Sequence, residues 1–377
     1  MKVDRIGVYP YSAEFEPFLW HTSLLDKAFQ IKALISPLGW GLVGQTFLLE
    51  AEEKELTVVS ELESVLNDID TVFIPSFQVD ERVETLIIKE IVAIVPSVKK
   101  IICAAKLSAQ NTDNLKNACE KVGCIFENLN LLKSPEQYGL VRQIEENPPI
   151  ESIDAPIVVI AGLWEETDKF EVSLALRKKF CSNDYKVTQI GSRNCCELFG
   201  FHSFPGFMLD SCVDAADKIV YFNRWIGHLV RAEKSDIVIV TIPGAIKNLS
   251  DKLTKGFGLL PHIVFQAIIA DVLIFCTMYD DGSIEFLQEI STMCKYKFDS
   301  PVDFYHMSNI LFNLSESKTR GRAVINRFDR DEVSHAVEKG FGNSPIPIFN
   351  MLEQHSHDEL FELVTDKLSG KDFQVIL

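Results

Sequence analysis

Residues 156–204 read PIVVIAGLWEETDKFEVSLALRKKFCSNDYKVTQIGSRNCCELFGFHSF, and the order of apolar and polar residues within them decides the fold. Five apolar residues, 157–161, run into Gly162. A polar loop then ends at Asp168 and Lys169, a helical stretch follows, and a second apolar run, 186–190, leads into Gly191. Strand, loop, helix and strand in that order form the repeating unit of a parallel sheet. A strand that runs into glycine, and a loop that ends in lysine at a helix start, is also the layout of a phosphate-binding loop. There, backbone N–H groups and the helix N-terminus meet an anion, and the lysine neutralises it.

The usual pattern, G-x-x-x-x-G-K-[ST], is not met. Five residues follow Gly162, Asp168 stands where the second glycine belongs, and Phe170 stands where a hydroxyl would hold Mg²⁺. The candidate ligand-binding residues are Gly162, Thr167, Asp168 and Lys169, joined by Arg193, whose planar fork suits phosphate or carboxylate. The layout implies ATP or GTP as the cofactor and leaves the metal undetermined. Glu197 and His202, after the second strand, are read as facing a substrate. Each assignment has a plainer alternative: Asp168 as a helix N-cap, Lys169 as a surface lysine, Arg193 and Glu197 as an ion pair, and His202 as a packed side chain. Glu165, Glu166 and Asp168 would repel a bare triphosphate but could hold a cation-bridged or non-phosphate ligand. No catalytic residue and no metal ligand is assigned.

Strand and helix patterns alternate on both sides of this stretch. Residues 2–9, 32–38, 71–74, 100–105 and 124–127 read as strands, with helical patterns at 60–66, 85–95 and 111–122. No G-x-G-x-x-G follows the first strand, so a dinucleotide site there competes with a plain docking or scaffolding domain. Gly39-Trp40-Gly41 reads as a turn. Residues 145–156, EENPPIESIDAP, combine three prolines with acids and read as a linker. Beyond it, 210–232 is helical, and 236–242, DIVIVTI, is a buried strand with Thr241 in the region where a P-loop NTPase commonly has its metal-holding acid. Residues 271–276 and 283–294 supply a further strand and helix, and 346–377 an amphipathic helix with an apolar tail. The expected architecture is two doubly wound, mostly parallel α/β domains: a Rossmann-like one at 1–147 and a P-loop NTPase-like one with a degenerate phosphate loop at 155–377.

Composition narrows the function classes. The formal charge of −17 over 377 residues opposes binding to nucleic acid or to anionic lipid, both of which need Lys and Arg against phosphate. The charged N-terminus and the lack of a long apolar run lead to the expectation of a cytoplasmic protein with no membrane association. Nine cysteines with no C-x-x-C pair suit reduced thiols, and the vicinal Cys195-Cys196 is read as incidental. His355, His357 and Asp358 are read as solvated surface. Phe199, Phe201, Phe204 and Phe207 are read as core or as the wall of a hydrophobic groove.

Residues 162–176, with QIGSRNCCELFGFHSFP at 189–205 and FGLLPHIVFQAIIADVLIFC at 257–276, resemble the peptide maturation system proteins. Clostridial and related bacteria encode these beside a radical-SAM enzyme and a small cysteine-rich, bacteriocin-like precursor peptide. The resemblance covers roughly residues 155–280. It implies an accessory role in maturing a ribosomal peptide, with the precursor peptide and the radical-SAM enzyme as partners. Three functions stay open at this level: a nucleotide-binding accessory protein, a scaffold that presents the precursor peptide, and an atypical NTPase or ligase.

Overall fold

A computed structural model of the chain describes residues 3–49, 54–77, 79–130, 134–140, 149–248, 250–251, 253–279, 283–320 and 324–370. The chain forms two compact units. The first comprises residues 1–131 together with 194–200, and the second residues 132–193 with 201–377. The expected linker at 145–156 lies partly outside the described residues. Segment 194–200, read in sequence as part of the second domain, is counted in the first unit.

The first unit holds β1 (Asp4–Val8), α1 (Glu16–Trp20), β2 (Phe29–Ile35), β3 (Thr46–Leu49), β4 (Lys54–Val59), β5 (Thr71–Ile74), α2 (Glu81–Ile94), β6 (Lys100–Cys103), α3 (Ala109–Val122) and β7 (Ile125–Asn128). Its sheet runs β3-β4-β2-β1-β5-β6-β7, parallel throughout except for the β3–β4 pair at one edge. The six parallel strands thus follow the 3-2-1-4-5-6 order of a doubly wound sheet. Ile87, Ile88 and Ile91 of α2 and Leu115 and Cys119 of α3 recur at helical spacing and cover one face over Val72, Ile74 and Ile101. On the other side, Phe15 stacks on Phe18 at 4.7 Å, and Phe18 meets Phe199 at 4.9 Å. That contact is how residues 194–200 join this core. The helix expected at 60–66 is only a 3-10 turn, Leu62–Val65.

The second unit holds β8 (Ile157–Gly162), α4 (Lys169–Ser182), β9 (Val187–Gly191), β10 (His202–Ser203), α5 (Gly206–Leu209), α6 (Ala215–Glu233), β11 (Ile237–Thr241), α7 (Leu259–Ala267), β12 (Val272–Thr277) and α8 (Ile284–Phe298). It continues through β13 (Phe304–Met307), β14 (Ile310–Phe312), α9 (Leu314–Arg320), β15 (Ile325–Arg327), α10 (Arg330–Phe341), β16 (Ile348–Phe349) and α11 (Gln354–Leu368). The main sheet, β10-β9-β11-β8-β12-β13-β16, is parallel throughout; β14 and β15 form a separate antiparallel pair. Alternate residues of β8 serve opposite cores. Ile157, Val159 and Ala161 pack with α6, α7 and α8, whereas Val158 and Ile160 pack with Val172 and Leu176 of α4 and Leu360 and Val364 of α11. Burial on both faces explains why these strands read as unbroken apolar runs.

The chain leaves β8 for β9, returns to β8 through β11, and then crosses to β12 on its other side. Strand order therefore reverses at β8, and the crevice at the carboxyl ends of such strands is where open α/β sheets hold ligands. The loop after Gly162 opens there. In layout this unit is P-loop NTPase-like.

Candidate functional site

Helices α2, α3, α6, α8 and α10 each begin at an Asp or Ser whose side chain accepts a hydrogen bond from the first turn. Helix α4 does not. Asp168 stands at its N-cap position with φ +54°, in the left-handed region, and its side chain makes no capping bond. The expectation that Asp168 caps α4 is thereby corrected. A left-handed residue is what the second glycine of a phosphate loop supplies without strain, and Asp is among the few other residues that tolerate it.

Lys169 is buried rather than a surface lysine, at 3% exposure. Its Nζ donates to the carbonyl oxygens of Trp164 at 2.5 Å and Glu165 at 3.0 Å. Burial pushes its pKa down to about 8, against the opposing pull of Cys276, Glu165, Glu171 and Asp168. Thr167 is fully buried and donates to the same Trp164 carbonyl at 2.9 Å, so its hydroxyl shapes the loop. At Gly162 an added Cβ would come within 2.4 Å of Thr167 Oγ1 and 3.1 Å of the Cys276 carbonyl. Only glycine leaves the loop room to fold back over the strand.

Phe170 is 3% exposed and belongs to the core. The Arg193 guanidinium lies over its ring, 5.1 Å from the centroid. The residue that removes the metal-holding hydroxyl thus also docks the arginine beside the helix start. Glu171 is buried, and burial first, with Asp168 second, pushes its carboxyl above the usual range.

Glu197 is exposed and falls in the first unit. His202 bonds Glu233 at 2.6 Å and sets its ring edge-on to Trp225. Burial opposes the charge of Glu233, but bonds from His202 and Thr188 outweigh it and hold the carboxyl low. Phe199, Phe201, Phe204 and Phe207 are all buried as core. The reading of 355–358 as solvated surface is corrected at His357: its Nε2 meets the Met351 carbonyl at 2.9 Å, and burial pushes its pKa down. Asp358 forms an ion pair with Lys179.

His306, in the apolar run FYHM of β13, escaped the sequence reading. It is fully buried, and its Nδ1 accepts from the Met351 backbone N–H at 3.0 Å. The neutral ring therefore keeps its proton on Nε2, which lies 3.5 Å from Asp168 Oδ2. Among the described residues neither of those two atoms has a hydrogen-bond partner, and the same holds for Gln189 Oε1 and Thr241 Oγ1. Gln189, Thr241, Cys276 and His306 alternate with residues of the α6 face, so all four lie on the α4 side near the carboxyl ends of their strands. A polar layer thus underlies the loop.

Among the described residues there is no disulfide, and no group of three or more His, Cys, Asp or Glu is placed to hold a metal ion. No described helix is long and apolar enough to cross a membrane.

No family profile matches the sequence, and no curated protein matches it. Among solved structures, the chain is similar to a DUF1611 family protein from Anabaena variabilis, with a TM-score of 0.60 at 11% identity over 96% of this chain and 99% of that one. That likeness shows the fold alone. HypB from Helicobacter pylori, solved with nickel, matches at a TM-score of 0.31 and 13% identity over 58% of this chain and 90% of its own. The LAO/AO transport system kinase matches at 0.32 and 11% over 78% and 77%. Scores this low carry no argument.

Proposed function

We propose that the second unit binds a phosphate-bearing ligand at the loop of residues 162–169, a nucleoside phosphate such as ATP or GTP first, and does not turn it over. We place it as an accessory protein in the maturation of a ribosomally made peptide. Lys169 carries the binding part of this reading. Taking an ammonium out of water is costly, yet here it is kept charged beneath a loop at the strand-order reversal, where two backbone carbonyls accept from it. An anion meeting the N-terminus of α4 offers those protons a stronger acceptor. The accessory role is supported by the resemblance of residues 155–280, which brings a precursor peptide and a radical-SAM enzyme as partners.

The lack of turnover is supported by Phe170, packed in the core where a metal-holding hydroxyl would be, and by Thr241 in place of a strand-end acid. The same Phe170 favours a second reading, in which the unit is a scaffold that presents the precursor peptide. An atypical NTPase or ligase is the third.

Calorimetry with ATP, GTP and inorganic phosphate, each with and without Mg²⁺, tests the proposal. Wild type should bind at least one of them largely independently of Mg²⁺. Lys169→Met, which keeps the side-chain volume, should lose a charge-assisted contact of about 1.5 to 3 kcal/mol, roughly tenfold to a hundredfold in affinity. No heat from wild type with any of the three would leave the scaffold. Phosphate release from ATP or GTP would revive the NTPase.

A further inference from the structure

Helix α7 packs on the second unit's core through Pro261, Val264 and Phe265, all buried, and turns its opposite stripe to solvent. That stripe differs from the rest of the surface. The other described helices of two turns or more all carry charged side chains, whereas α7, LLPHIVFQA, carries none. Residues 256–270, which contain it, have no Asp, Glu, Lys or Arg. The stripe is apolar at both ends. Phe257 and Leu259 are each 62% exposed at its start, and Ile269 is 82% exposed just past its end. Asn223 donates to the Ala267 carbonyl and exchanges hydrogen bonds with the backbone of Glu151, which brings Ile150, 49% exposed, to that same end. His262 and Gln266, both exposed, supply polar atoms between the two ends.

The backbone before α7 is strained. Gly256, Phe257 and Gly258 take left-handed φ angles of +71°, +58° and +71°, a conformation costly for a bulky residue such as Phe257. At Gly258 an added Cβ would come within 2.1 Å of the Ile246 carbonyl oxygen, so the turn is fixed by its packing. A strained turn thus holds a large apolar side chain in water, which costs the isolated chain twice.

We propose that this face pairs with the same face of a second copy of the chain, the two α7 helices lying antiparallel about a two-fold axis. Charge selects that occupant. Each copy carries a formal −17, so copies repel one another, and a contact between them needs a face with no acid of its own. The same face has no Lys or Arg to meet lipid phosphate, and no fixed charge to recognise an acidic or basic partner. It does complement itself. Antiparallel pairing sets the Phe257–Leu259 end of one copy on the Ile150–Ile269 end of the other, and His262 of each beside Gln266 of the other, donor to acceptor. It also brings the N-terminus of each helix, where Gly258 offers no side-chain cap, to the C-terminal carbonyls of the other; parallel pairing would set like ends of the two dipoles together. From Leu259 to Ile269 the ridge is about 15 Å long, which suits a small, reversible interface rather than an obligate one.

Sedimentation of the full chain over about 1 to 100 μM, at low and high salt, tests the proposal. Wild type should pass from monomer to dimer within that range. Added salt should strengthen the dimer, because it screens the repulsion and breaks no ion pair. Leu259→Lys and Ile269→Lys alter exposed positions, so thermal unfolding of the monomer should stay unchanged while dimerisation weakens by about a hundredfold or more. Orientation is read by cysteine pairing, with the exposed Cys181 and Cys212 replaced by Ser. Under a mild oxidant, Leu259→Cys mixed with Ile269→Cys should give the mixed disulfide, and neither should crosslink with itself. A dimer that survives both lysine variants, or self-crosslinking of either cysteine variant, would overturn the proposal. So would a wild type that stays monomeric; if that monomer binds phosphatidylcholine vesicles, the ridge is a membrane contact instead.

Discussion

Burying the ammonium of Lys169 couples the stability of the second unit to pH. Its folded pKa of about 8 lies below the ordinary 10.5. Below pH 8 both folded and unfolded chains carry the proton, and the full burial penalty applies. Between 8 and 10.5 the unfolded chain binds more protons than the folded one, so stability rises with pH; above 10.5 the difference is constant. At about 1.4 kcal/mol per unit, the shift corresponds to roughly 3 kcal/mol. Urea unfolding from pH 7 to 11 should show wild type gaining about that much on Lys169→Met. Parallel pH profiles for the two proteins would show that the amine is solvated. At the same scale, the composition of the loop was legible in sequence, including the missing second glycine and hydroxyl. The burial of Lys169 was not, because nothing local says whether a lysine points to water or beneath its own loop.

Helix α4 shows what periodicity hides. Every residue from Lys169 to Leu176 is buried, so the helix lacks the one-sided stripe that marks a surface helix. Its identity rested instead on its place between two apolar runs. Phe170 belongs to that packing, beneath Arg193 and 6.4 Å from the ring of Phe201. Phe170→Ser should therefore cost about 3 to 5 kcal/mol, as large-to-small core changes do, and confer no Mg²⁺ dependence on ligand binding. A stable variant with new Mg²⁺-dependent binding would count against the assignment of this side chain to the core. Strands β8, β11 and β12 were readable as continuous apolar runs. The two-residue strands β10 and β16 were not, since pairs this short carry no period.

The two units have separate cores, yet their sequence segments interleave. Phe199 sits between β9 and β10 in sequence but packs on Phe18 with the first unit. Phe199→Ala should destabilise the first unit by about 3 to 5 kcal/mol. Hydrogen exchange should then show lost protection in α1, β1 and β2 with β8, α4 and β11 unchanged. Loss confined to the second unit would contradict the assignment. The sequence pointed to two doubly wound sheets, and the structure has them. A proline-rich stretch marks where patterning pauses, not which core a returning loop joins.

The sequence by itself determined the parallel α/β architecture, the strand–loop–helix around Gly162 and Lys169, and the departures from a phosphate-binding loop at Asp168 and Phe170. These follow from neighbours along the chain, where side-chain spacing, glycine and β-branched runs act directly on local geometry. Only the tertiary structure decided that Asp168 takes a left-handed turn instead of capping, that Lys169 is enclosed, and that His306 stands opposite the loop. That meeting depends on the order β8-β12-β13 across the sheet, which brings Gly162, Cys276 and His306 into register. A lone histidine in an apolar run has no local signature of it, because its partner is set by how the crossovers stack the strands.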